Sequence, residues 1–95
     1  MPQVVIPIVV ENKQVGCCPD IVLLKRGDTI KWTYKGPIAV DFGVTTPFDE
    51  VRFNGNGHVV TPEVRADAAS GTYKYTVAVH DGTDVLIADP QVIIP

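Results

Sequence analysis

Few side chains in this 95-residue chain could do chemistry. Two thiols stand side by side at Cys17 and Cys18, and two imidazoles stand far downstream at His58 and His80. Two thiolates with two imidazoles would suit a tetrahedral zinc ion, so these four are the candidate metal ligands. Their spacing works against that use. Successive side chains of a strand point to opposite faces, so adjacent thiols make a poor chelate. Adjacent cysteines also rarely bond to each other, because the ring they close is strained, and they cannot staple distant segments. The expected metal and cofactor complement is none.

Covalent catalysis finds equally little support. Ser70 is the only serine, and Ala68-Ala69-Ser70-Gly71 reads as a turn rather than a strained nucleophile elbow. Cys17 or Cys18 with His58 or His80 are the only thiol–imidazole options, and no flanking residue favours either pairing. Asp49 and Glu50, and Asp81 and Asp84, read as solvated loop carboxylates. Asp81-Gly82-Thr83-Asp84 lacks the further oxygens of a calcium loop. Gly55-Asn56-Gly57 lacks the third glycine and the following helix of a phosphate cradle. Arg26-Gly27-Asp28 spells an adhesion tripeptide, but it stands where a turn must lead into a strand. No enzyme is expected.

Bulk properties exclude other classes. A formal net charge of -3 and eight scattered Lys and Arg give no basic face for nucleic acid. The longest apolar runs fall far short of the roughly 20 residues that span a bilayer. No charged leader precedes the first apolar run, which favours the cytoplasm unless a signal peptide has been removed. The chain is one domain's worth, residues 1–95, with 45% hydrophobic residues to fill one core.

The elements that must position these side chains follow a period of two. In Thr29 to Lys35, Ile30, Trp32 and Tyr34 share one face while Thr29, Lys31, Thr33 and Lys35 share the other. Thr72 to Val79 repeats the pattern, with Tyr73, Tyr75, Val77 and Val79 inward and His80 facing outward beyond them. Further strands are expected at Val4 to Glu11, Ile21 to Lys25, Ala39 to Val44, His58 to Val64, Val85 to Ala88 and Gln91 to Ile94. Pro7 places the first at a sheet edge. Asp89-Pro90 breaks the last two apart. Asn56-Gly57 reads as a turn, with His58 beginning a strand. The longest irregular stretch is Gly43 to Gly57. No window carries a helical stripe. Eight Gly and eight Pro punctuate the runs, so the fold class is all-β: a two-sheet antiparallel sandwich of seven or eight strands.

The motifs within that frame resemble the cupredoxins, an alternative to an immunoglobulin-like Greek key. In that family a strand led by Gly-Asp-Thr-hydrophobic-x-Trp crosses the core, and Gly27-Asp28-Thr29-Ile30-Lys31-Trp32 is similar to it. A following His-Asn-Val-x-Phe supplies the first copper ligand; the counterpart is Ile38-Ala39-Val40-Asp41-Phe42, with Ile38 at the histidine. Near the C-terminus the family carries Gly-x-Tyr-x-Tyr-x-Cys, then a histidine and often a methionine. Gly71-Thr72-Tyr73-Lys74-Tyr75-Thr76 matches, Val77 takes the cysteine's place, His80 the histidine's, and Val85 falls near the methionine's. The resemblance thus implies the fold without the copper chemistry, since a blue-copper centre needs two imidazoles and a thiolate. The expected function is a copper-free, non-catalytic binding or protein-interaction module. The alternative is a metal-binding or electron-transfer relative that uses His80 with non-standard ligands.

Partners should then be proteins. Val4 to Val10 and Val92 to Ile94 are apolar at both parities, and a strand apolar on both faces needs cover on both. Self-association through a terminal strand is the expected form of that cover.

Overall fold

The computed structural model describes residues 2–17 and 20–95. It is all-β, with nine strands among the described residues: β1 (Gln3–Glu11), β2 (Gln14–Cys17), β3 (Ile21–Leu23), β4 (Thr29–Asp41), β5 (Arg52–Val60), β6 (Gly71–Lys74), β7 (Thr76–His80), β8 (Val85–Ala88) and β9 (Gln91–Ile94). A six-stranded sheet runs β2-β1-β4-β7-β8 with β5 added along β4, and a three-stranded sheet runs β3-β9-β6. Both sheets are mixed rather than wholly antiparallel, because β1 pairs parallel with β4 and β3 parallel with β9. Alternation reports which face a residue takes, not the direction of its neighbour, so this could not be read from the sequence.

β4 is the spine. Its first half lies between β1 and the end of β5, and its second half between β7 and the start of β5. Ile30, Trp32, Ile38 and Val40 hold the inward face throughout, and Phe42 follows buried just past the strand's end. The expected gap at Gly36-Pro37 is therefore a bend inside one strand. The ring of Phe42 stacks on Tyr75 with centroids 4.8 Å apart and meets Phe48 edge-on at 5.3 Å. Phe53 and Trp32 complete the aromatic cluster, each with its centroid 6.4 Å from Phe42.

β1 is not an edge strand. Residues 3–7 pair with β4 and residues 8–11 with β2. Pro7 sits at the hand-over, where its missing N–H falls between two ladders rather than inside one. β2 itself carries no strong sequence signal. It turns back on β1 through Asn12 and Lys13, both at positive φ (51° and 63°), as a two-residue hairpin of the twist-matched kind demands. Lys instead of the usual Gly at the second position hides that turn.

Tyr73 to Val79 is interrupted at Tyr75. β6 pairs with β9 and β7 with β8, and Pro90, which has no N–H for the ladder, breaks the opposite strand at the same level. Continuity survives through the Tyr75 N–H, which donates to the Pro90 carbonyl at 3.1 Å. Tyr73, Tyr75, Val77 and Val79 are all buried, as their spacing predicts.

β5 runs through residues that read as a turn. The register passes from Pro37↔Asn56 to Thr33↔His58, so residues 34–36 of β4 bulge opposite Gly57 of β5, which adopts φ +87°. His58 therefore lies inside a strand and does not begin one, and the irregular stretch ends at residue 51. Opposite the bulge the β5 backbone folds the His58 carbonyl tightly over Gly55, leaving no room for a side chain. Gly55→Ala is expected to cost about 1–3 kcal/mol, because the obstacle is backbone and cannot swing aside. Gly16→Ala, which meets only open space, should be nearly neutral or stabilising. Urea midpoints of the two variants check the pair.

Candidate functional site

The end of the molecule where the copper-ligand motifs of the resemblance fall is built by β4, β7 and β8. Ile38 of β4 pairs with Val79 of β7, and Val40 with Val77. Ile38 is 2% exposed and Val77 fully buried, so both positions point into the aliphatic core. β7 then continues as a regular strand through His80, pairing His80 with Val85. Three residues along a strand reverses the face, so His80 points outward while Val77 points inward. His80 is exposed, and Val85 beside it is 64% exposed. The four positions therefore divide between two faces of one sheet. Their donor set does not fit copper either: Ile38, Val77 and Val85 have no lone pair to give, leaving one imidazole.

His80 has local work to do. Its Nδ1 accepts a hydrogen bond from the Gly82 N–H at 3.1 Å, which ties the strand end to the β7–β8 turn. Asp81 organises the same turn, accepting from the Thr83 N–H at 2.9 Å and the Asp84 N–H at 2.7 Å. Lys13, from the β1–β2 turn, reaches across to Asp81 at 2.7 Å and Asp84 at 3.2 Å. The Asp84 and Thr83 N–H groups and the Lys13 ammonium hold the Asp81 carboxyl well below the usual carboxylate range. These carboxylates form a turn and a latch between two hairpins.

The four candidate zinc ligands do not converge. Cys17 is buried at the end of β2, paired in register with Ile8. His58 is exposed on β5 and His80 on β7, and both face outward. Among the described residues, no group of three or more His, Cys, Asp or Glu could hold a metal ion. Cys18 lies outside the described residues.

The core beside Cys17 holds a polar cluster that alternation alone did not reveal. The Trp32 indole N–H donates to the Tyr75 hydroxyl at 3.2 Å, satisfying two buried polar groups at once. Burial pushes the Tyr75 phenol well above its ordinary range; Cys17 and Asp20 push the same way, and the Trp32 hydrogen bond opposes them. Asp20 also caps the strand end, its carboxylate accepting from the Cys17 N–H at 3.1 Å.

Arg26-Gly27-Asp28 is structural. Gly27 takes φ +92°, and the buried Asp28 carboxylate accepts from the Lys25 N–H at 2.9 Å to close the turn. Arg26 is spent on the Ala68 carbonyl, the Ser70 hydroxyl and the Pro95 carbonyl. That holds the β5–β6 connection and the chain's end against the turn.

The outer face of β5, β4, β7 and β8 shows what the site presents instead of ligands. Across the strands lies the row Asn54, Ala39, Ala78, Ile87, and the pairs Asn56–Pro37 and His80–Val85 form a shorter row beside it, with Asn56, Pro37 and His80 lining one hollow. These rows carry no formal charge apart from what His80 can acquire.

The chain overlays on solved pseudoazurins. With the pseudoazurin from Sinorhizobium meliloti the TM-score is 0.61 at 14% identity, covering 100% of this chain and 75% of that one. With the native pseudoazurin from Hyphomicrobium denitrificans it is 0.55 at 17% identity, covering 97% and 74%. The fold is cupredoxin-like. At such identities the likeness is one of architecture alone. No protein-family model and no curated protein matches the chain. The Trp32 and Tyr73–Tyr75 motifs are core-forming segments of that fold. No helix among the described residues is long and apolar enough to cross a membrane.

Proposed function

We propose that this chain is a copper-free, non-catalytic binding or protein-interaction module on a cupredoxin-like scaffold. The observation that carries the reading is the replacement of ligand positions by core: Ile38 and Val77 pack inward as aliphatic residues, while His80 turns outward to cap its own loop. A side chain without a lone pair offers a metal nothing, and one imidazole does not retain copper.

Two hollows touch the loop before β5, and both mix polar groups with apolar surface. One is lined by Asp41, Lys74, Thr76 and Asp89 around the edges of Phe42 and Tyr75. Another is lined mostly by Glu50, Arg52, Asn54, Asn56 and His58.

Self-association belongs to the same reading, and of the two terminal strands β1 is the better candidate. Val5 and Val9 stand about half exposed on its outer face. β9 lies between β3 and β6 with Val92 and Ile94 buried. Sedimentation across a wide concentration range should reveal a dimer that Val5→Lys with Val9→Lys abolishes. Pure monomer throughout would remove self-association and leave a foreign partner.

Equilibrium dialysis against copper and zinc tests the metal half. Wild type and His80→Gln should retain the same sub-stoichiometric metal. One tightly held ion per chain, lost in the variant, would favour a metal-binding protein that uses His80.

A further inference from the structure

The sequence Asn54-Gly55-Asn56-Gly57 places two Asn-Gly peptides in succession on one strand. Such a peptide can rearrange without an enzyme. The amide nitrogen of the glycine loses its proton and attacks the Asn side-chain carbonyl carbon. A C–N bond forms, the C–NH2 bond breaks, and ammonia leaves with the proton taken from the backbone amide. Water then opens the five-membered imide at either carbonyl, giving aspartate or the isoaspartate whose backbone runs through the side chain. No oxidant or reductant is needed. The step requires the glycine nitrogen to approach its neighbour's side chain, which a hydrogen-bonded ladder forbids and a loosened backbone allows.

The two peptides are held differently. Asn54 and Gly55 pair in register with Ala39 and Ile38, and the His58 carbonyl presses on Gly55. Asn56 faces Pro37, which has no N–H to give the ladder, and Gly57 has no register partner at all. Gly57 sits at φ +87° opposite the β4 bulge, with only the Tyr34 carbonyl near the place a side chain would take. Asn56 is exposed, so water reaches the imide and ammonia escapes.

We propose that Asn56-Gly57 is a spontaneous deamidation site of the folded protein, with Asn54-Gly55 held unreactive by its place in the ladder. The product puts a carboxylate on the otherwise uncharged rows, in the same hollow of about 510 Å³ that His80, Pro37 and Ala78 line.

Incubating the full chain at mildly alkaline pH, then cleaving after Arg52 and Arg65, releases one peptide carrying both asparagines for mass-spectrometric sequencing. In the folded protein Asn56 should convert several-fold faster than Asn54, and in denaturant the two rates should approach each other. Asn56→Gln should abolish the principal acidic species seen on charge separation. Asn54 keeping pace with Asn56 in the folded chain would overturn the proposal. So would an Asn56 that stays intact when folded while the denatured control converts, or an acidic species that survives Asn56→Gln.

Discussion

Trp32→Ala should remove about 3–5 kcal/mol of stability, the cost of deleting a large aromatic from a packed interior. Small domains hold only about 5–15 kcal/mol in total, so the variant should be partly unfolded at physiological temperature. Trp32 is fully buried and its ring meets Tyr75 edge-on, centroids 5.4 Å apart. Two losses therefore add: the cavity, and the donor to the Tyr75 hydroxyl. Trp32→Phe separates them, since it keeps most of the volume and removes the N–H, costing about 1 kcal/mol for the bond with a smaller packing penalty. Urea unfolding followed by circular dichroism gives both numbers. A loss below about 1 kcal/mol for the alanine variant would mean that Trp32 is not in the core at all.

Phe42→Ala should be nearly as damaging, about 3–5 kcal/mol, for a different geometric reason. Phe42 touches the rings of Trp32, Phe48, Phe53 and Tyr75. Removing it empties the centre of the cluster where β4 hands the chain to the loop before β5, and Trp32 and Phe53 cannot collapse inward without leaving their strands. Phe48→Ala should cost less, because Phe48, though fully buried, is carried by the irregular 43–51 loop, which can relax into the gap. Val44→Ala, two residues from Phe42 but fully exposed, should stay within about 0.5 kcal/mol of wild type. Equal losses at Phe42 and Val44 would contradict the placement of the cluster.

Those two sites mark where the sequence speaks most clearly. Alternation of aromatic with polar residues identifies Thr29–Lys35 and Tyr73–Val79 as half-buried strands, because only a pleated backbone puts every second side chain on one face. The inward set Ile30, Trp32, Tyr73, Tyr75, Val77 and Val79 and the outward placement of His80 follow from that spacing alone. Asp89-Pro90 likewise announces its break, since proline cannot donate to a ladder.

Other features were hidden for physical reasons. Gly36-Pro37 and Asn54-Gly55-Asn56-Gly57 have turn composition, yet they lie inside β4 and β5 because the long hairpin must bend, and bulges use the residues that turns use. Pro7 suggests an edge, but a strand that changes partners midway shields a proline just as well. The parallel pairings β1–β4 and β3–β9 join segments far apart in sequence and leave no local trace. The site shows the same division. That Ile38 and Val77 lack lone pairs is visible in their names; that β7 stays regular through His80, so that the positions face opposite ways, is visible only in the fold.

The opposite facing of Val77 and His80 has a direct consequence for copper binding in solution. An absorbance and electron-paramagnetic-resonance titration of the full chain with cupric ion addresses it directly. No intense visible sulfur-to-copper band should appear, and the spectrum should be no different from that of His80→Gln. A strong blue or green band at one copper per chain, with the narrow hyperfine splitting of a thiolate-bound ion, would show that a thiol and an imidazole meet after all, and would contradict that opposite facing.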